Sequence, residues 1–159
     1  MPYQFATQHK QGQQAELELD QYFQRWYTIT PATPAQQRNG IDRVFEYRGK
    51  QHFVEYKCDA KSETTGNFFL ETISVERNSV VVKEGWAYTT KAGWVVLYQP
   101  KKRRVIILDA SRLKGRMRSW ESCFPKRVIP NRTWNTHGIL VPEDILTTTD
   151  ICTGANFIL

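Results

Sequence analysis

Cysteine is scarce in this 159-residue chain: Cys58, Cys123 and Cys152 are odd in number and widely spaced. They offer neither a disulfide framework nor a zinc-binding spacing, and a reducing cytoplasm is the expected setting. No apolar run approaches the ~20 residues that span a bilayer, so no membrane partner is expected. The opening residues, Met1 to Lys10, carry no apolar signal core. His9, His52 and His137 lie far apart, which leaves no histidine-based metal site. There is no internal repeat, no low-complexity tract, no interdomain linker and no Walker phosphate loop.

What is present is a chain 40% hydrophobic and 13% aromatic, enough for one domain with a core and against disorder. The net charge of +6 is uneven. Residues 101 to 132 hold eleven Lys and Arg against Asp109 and Glu121, a net +9, so the remainder of the chain is −3. A basic region beside an acidic one suits a polyanionic partner. Lys101, Lys102, Arg103 and Arg104 fall in a turn. Arg112, Lys114, Arg116 and Arg118 fall at i,i+4 spacings on a helix. These eight are the candidate phosphate contacts.

Periodicity predicts a helix over 12 to 27 with Ala15, Leu19, Tyr22, Phe23 and Trp26 on one face. The run Thr30-Pro31-Ala32-Thr33-Pro34 breaks it. Strands are expected over 41 to 47 and 52 to 58, with a third from Phe68 to Val75. Val80-Val81-Val82 reads as extended, and Trp86 to Tyr88 as extended or helical. Strands are expected from Trp94 to Tyr98 and from Arg104 to Leu108. A helix then runs from Asp109 to about Trp120, with Leu113, Met117 and Trp120 inward. A strand stopped by Pro142 precedes a final helical turn.

The two strands around Arg48-Gly49-Lys50 carry the chemistry. Gly40-Ile41-Asp42 begins the first, and Phe53-Val54-Glu55-Tyr56-Lys57 lies in the second. Side chains alternate along a strand, so Glu55 and Lys57 share a face while Val54, Tyr56 and Cys58 point the other way, toward a helix. With Gly49 and Lys50 as the central residues of a type II′ turn, Asp42 lies opposite Lys57 and diagonal to Glu55, on the same face. Two acids and an ammonium so placed can hold a divalent metal and activate water against a phosphodiester. The same spacing also fits an ordinary ion pair on an exposed strand.

Asp42 and, thirteen positions later, Glu55-Tyr56-Lys57 resemble the PD-(D/E)xK nuclease superfamily, with Ile41 in the place of the proline. Gly12-Gln13-Gln14-Ala15-Glu16 resembles the helix glutamate that several members place shortly after a glycine, though Glu18 competes for that role. The resemblance covers about residues 10 to 110. It implies a single α/β domain whose mixed central β-sheet is flanked by helices, with a restriction-endonuclease-like αβββαβ core and a basic C-terminal extension over about 111 to 159. It implies a magnesium site (manganese as substitute) made by Asp42, Glu55, the backbone carbonyl of Tyr56 and Glu16. Glu71, in the next expected strand, could border it. Lys57 would orient water and stabilise charge on the phosphate. The implied activity is DNA hydrolysis to 5′-phosphate and 3′-hydroxyl ends by a homodimer or larger assembly in a prokaryotic or phage-type intracellular setting. A junction or branched-DNA resolvase, a nuclease for structured RNA and a catalytically silent DNA-binding or assembly protein on the same fold are the alternatives.

Overall fold

The computed structural model describes residues 5 to 158. Helix α1 (Phe5–Phe23) opens the chain. Its Ala15, Leu19, Tyr22 and Phe23 are buried against Phe45, Val54, Tyr56, Val96 and Tyr98. Trp26, expected on that face, is 51% exposed, because the helix ends at Phe23 and the helical projection ends with it. Burying a side chain such as Leu19 contributes about 1.5–3 kcal/mol.

The proline-punctuated stretch after α1 is not simply a break. It holds a short strand, β1 (Thr28–Pro31), and a one-turn helix, α2 (Pro34–Gln37), opened by a Thr33–Gln36 capping box. Pro31 is tolerated because β1 lies at the edge of its sheet. Strands β2 (Arg43–Tyr47) and β3 (Lys50–Cys58) follow as a hairpin. The central turn residues are Arg48 and Gly49, with φ of 49° and 75°, rather than Gly49 and Lys50. Two successive positive φ values belong to a type I′ turn, whose twist matches that of the strands. Tyr47 therefore pairs with Lys50 and Arg43 with Val54; the ladder ends there, and Asp42 meets β3 at Val54 and Tyr56 rather than opposite Lys57. The shift is two residues, so the faces are unchanged.

The remaining elements are α3 (Ser62–Thr65), β4 (Asn67–Arg77), β5 (Val80–Glu84), α4 (Trp86–Thr89), β6 (Trp94–Gln99), β7 (Arg104–Asp109), α5 (Ala110–Cys123), β8 (Lys126–Pro130), β9 (Asn135–Pro142), α6 (Glu143–Thr148) and β10 (Cys152–Phe157). They build a mixed α/β domain with two sheets. The six-stranded sheet runs β1-β2-β3-β6-β7-β10, and the four-stranded one β5-β4-β9-β8. β3 and β6 are parallel; the other ladders are antiparallel. The three-stranded meander is thus β1-β2-β3, and α3, β4 and β5 separate it in the chain from α4 and β6. The expected third strand around Phe68 to Val75 is β4, which leaves this meander to pair with β5 and β9 in the second sheet. The C-terminal residues are not an appendage: β8 and β9 complete the second sheet, and β10 closes the edge of the first against β7.

Each face of the large sheet has its own core. α1 covers the Val54–Tyr56 face. On the other face Val95, Leu97, Ile106 and Leu108 meet Phe68, Leu70, Ile139 and Val141 of the second sheet, with Leu113 and Met117 of α5. Glu55 pairs with Val95 and Lys57 with Leu97, so both point into this second layer at the margin where its cover ends. No described helix is long and apolar enough to cross a membrane.

Candidate functional site

Asp42 sits just before β2. Its amide donates to the Val54 carbonyl at 2.8 Å, and its Oδ2 accepts the Tyr56 amide at 2.8 Å. The chain thereby fixes the carboxylate against β3. In an extended strand a residue's N–H and C=O project to one side, so the Tyr56 carbonyl shares the Asp42 side of β3. Glu55 is 4% exposed. Its Oε1 lies 2.7 Å from Lys57 Nζ, while its Oε2 is buried with no hydrogen-bond partner. A buried carboxylate oxygen without a partner is costly, and a cation would relieve it.

Gly40 shapes the space beside that oxygen. Its φ is 76°, and a Cβ there would lie 3.2 Å from Glu55 Oε2 and 3.0 Å from Thr90 Oγ1. Thr90 Oγ1 donates to the Gly40 carbonyl at 3.3 Å, and Lys114 of α5 donates to the Thr90 carbonyl. Lys57 stands 5.5 Å from the centre of the Trp86 ring, a cation–π contact. Glu71 does not enter this group directly; its Oε1 accepts the Trp86 amide at 3.4 Å. Among the described residues no three His, Cys, Asp or Glu side chains gather to enclose a metal. Two carboxylates and a carbonyl nevertheless fit magnesium, which keeps waters and usually takes one or two protein carboxylates beside substrate phosphates.

Behind the sheet lies a second network that sequence reading did not find. Arg43, one residue past Asp42, points to the α1 face. Its Nε donates to both oxygens of Asp20, at 3.0 and 3.1 Å, and its Nη2 to Glu16 at 2.9 Å. Its Nη1 returns to the Asp42 carbonyl at 2.9 Å, and Tyr56 Oη donates to Asp20 at 3.0 Å. Asp42, Tyr56, Asp20 and Arg43 form a closed ring of bonds through the sheet. Burial opposes the Arg43 charge, but Asp20 and Glu16 hold its pKa above the ordinary value. Burial first, and then the Asp20 charge, push the Tyr56 phenol far up. Glu16 is therefore not gathered with Asp42, Glu55 and Lys57: α1 packs on the opposite face, and Arg43 holds its carboxylate. Glu18 accepts the Tyr98 hydroxyl. A signal was available in the i,i+4 spacing of Glu16 and Asp20 and the alternation that sends Arg43 toward α1.

The eight basic candidates divide into two places. Lys101, Lys102 and Arg103 occupy the β6–β7 turn, six or more residues along the strand from Val95, or about 20 Å. The amides of Lys101 and Lys102 donate to Glu63, and Arg104 pairs with Glu143 at 3.0 Å. On α5, Arg112 donates to the Asp150 carbonyl and Arg116 pairs with its carboxylate, both at 2.7 Å. Arg118 is exposed. Lys114 alone among the eight touches the loop that borders Glu55.

No protein-family model matches the sequence, and no curated protein matches it. Among solved structures the chain is similar to a bacterial homing endonuclease, with a TM-score of 0.52 and 18% identity over 71% of this chain and 74% of that one. The two chains share a fold. At that identity the similarity concerns architecture alone.

Proposed function

We propose that this protein is a metal-dependent nuclease that hydrolyses DNA phosphodiester bonds at Asp42, Glu55 and Lys57, leaving 5′-phosphate and 3′-hydroxyl ends. The observation that carries the reading is Glu55: one buried oxygen paired with Lys57, the other unpartnered beside Gly40, with Asp42 bonded to the amide of the next residue, Tyr56. A surface ion pair has no use for a buried vacant lone pair; a cation-binding carboxylate does. The homing-endonuclease fold and the basic 101 to 132 stretch support DNA as the substrate.

Asp42, Glu55 and the Tyr56 carbonyl would hold Mg²⁺ or Mn²⁺. The bound metal supplies a Lewis acid for the phosphate and a water of lowered pKa. The chain's own residues do the rest. The Tyr56 amide fixes Asp42 Oδ2, and the Arg43 ring holds the Asp42 backbone from behind. Lys57, with a side chain 33% exposed, is anchored by Glu55 and Trp86 so that its remaining donors face solvent. From there it orients the attacking water and offsets the charge that develops on the phosphoryl oxygens. Glu16 contributes through Arg43. Cutting both strands of a duplex calls for two such sites, so the working form is a homodimer or larger assembly.

The test is incubation with Mg²⁺ and a panel of supercoiled plasmid, linear duplex, single strands, a four-way junction and RNA. Cleavage of a DNA member that EDTA abolishes is expected, and preference for the junction would narrow the class to a resolvase. Cleavage of RNA alone would refute the substrate, and Mg²⁺-independent DNA binding without cleavage would mark a silent protein.

A further inference from the structure

A cavity of about 650 Å³ opens on the far side of Lys57 from Asp42. One wall is the end of β3 and the loop after it, a second is the face of the second sheet that carries Phe69, Arg127, Ile129 and Leu140, and Gln8, Gln11 and Gly12 of α1 line a third side. The register explains that face. Phe69 pairs with Leu140 and Arg127 with Gly138, so alternation turns these side chains away from the core that receives Phe68 and Leu70. Gly138 has no side chain to hold the Phe69 ring off the sheet: a Cβ there would lie 2.5 Å from the ring. Trp86 completes an apolar lining.

The charge at the cavity is positive. Lys57, Lys61 and Arg127 line it against one acid, Asp59. Both Asp59 oxygens are occupied by backbone amides, of Ser62 at 3.0 Å and Phe69 at 3.2 Å. Lys61 and Arg127 are exposed and have no ion-pair partner among the described residues. An apolar, aromatic lining with unpaired cations at its rim matches a group with a flat apolar body and an anionic tail. The volume falls within the ~300–1,000 Å³ of small-ligand sites. As a cube it would be under about 9 Å on a side, narrower than the ~12 Å major groove alone, which excludes a duplex.

We infer that this cavity binds one unpaired nucleotide of the DNA strand being cut. Its base lies against Phe69, Ile129 and Trp86, and its phosphate is held by Lys61 and Arg127. Lys57 both pairs with Glu55 and lines the cavity, so the nucleotide there neighbours the phosphate under attack. The inference rests on the nuclease reading for that last placement, whereas binding itself can be measured without cleavage.

The experiment is fluorescence anisotropy of a short labelled oligothymidine on the full chain, with Ca²⁺ in place of Mg²⁺. Ile129→Trp fills the cavity, and the double substitution Lys61→Glu with Arg127→Glu reverses its rim charge at exposed positions. Thermal melting checks each fold, and if Ile129→Trp does not fold the charge variant decides. Base stacking and phosphate contacts of this kind predict single-strand affinity about tenfold weaker in each variant, with a smaller effect on a blunt duplex. Folded variants that bind oligothymidine as tightly as the wild type overturn the cavity assignment. Wild-type protein that binds the strand in a variant-sensitive way but cuts nothing in Mg²⁺ overturns the nuclease reading instead.

Discussion

Replacing Gly40 with alanine tests how the space beside Glu55 is made. Two terms act. The first is backbone: φ is 76° at Gly40, and a left-handed conformation costs an L-residue about 1–2 kcal/mol. The second is crowding: the new Cβ would stand 3.0 Å from Thr90 Oγ1, 3.2 Å from Glu55 Oε2 and 3.3 Å from Thr90 Cα. Gly49 separates the two, because its φ is 75° and nothing lies within 4 Å of the added Cβ. Gly49→Ala is expected to lose about 1–2 kcal/mol, a fall in Tm of roughly 2–8 °C for a chain of this size, and to keep its activity. Gly40→Ala carries the same backbone term and must also push Glu55 or the Thr90 backbone aside. Its loss of stability should be about twice as large, and displacement of the carboxylate by a few tenths of an ångström should lower cleavage about tenfold or more. Differential scanning fluorimetry and a plasmid-cleavage assay on the pair read both. Equal Tm shifts, or a Gly40→Ala enzyme that cleaves at the wild-type rate, would refute the reasoning.

Glu16→Gln removes a partly exposed ion pair to Arg43 and should change stability by about 1 kcal/mol or less. Cleavage should stay near wild type, whereas a metal ligand would lose orders of magnitude, and kinetics at saturating Mg²⁺ distinguish the two. Arg43→Met strands Asp20, a largely buried acid, and should lower stability by about 3 kcal/mol in urea titration. Mn²⁺ should raise the Tm of the wild type, by the equivalent of about 2.7 kcal/mol at a hundredfold excess over Kd, and should leave that of Asp42→Asn unmoved. Alkaline pH should destabilise the fold. Burial raises the phenols of Tyr56 and Tyr98, with Asp20 and Glu18 adding to it. The folded chain therefore keeps protons that the unfolded chain releases near pH 10. Stability falls as pH climbs past about 10, and Tyr56→Phe should flatten that slope in thermal melts.

Local periodicity made much of this architecture legible. Leu113, Met117 and Trp120 recur at helical spacing and are buried on α5. The strand runs at Glu55 and Val95, and the basic turn after Pro100, fall where alternation and punctuation put them. Alternation also set Glu55 and Lys57 on one face, and a register error of two residues left that unchanged. What stayed hidden depends on distant partners. β1 ends on Pro31, a residue that usually marks a break. β4 reads as a strand, but only β9, about seventy residues on, decides that it joins a second sheet. β10, Cys152 to Phe157, is mostly exposed and has little apolar pattern to announce it. The helical wheel of α1 places Glu16 at the edge of an apolar stripe, but cannot say which face of the sheet that stripe covers.

The most direct test of the central claim is plasmid cleavage by Asp42→Ala and Lys57→Ala beside the wild type, with circular dichroism to verify each fold. The wild type should nick or linearise supercoiled DNA in Mg²⁺ and stop in EDTA, and both folded variants should be inactive. Full activity in either variant, or wild-type cleavage that persists in EDTA, would contradict a metal site built on Asp42, Glu55 and Lys57.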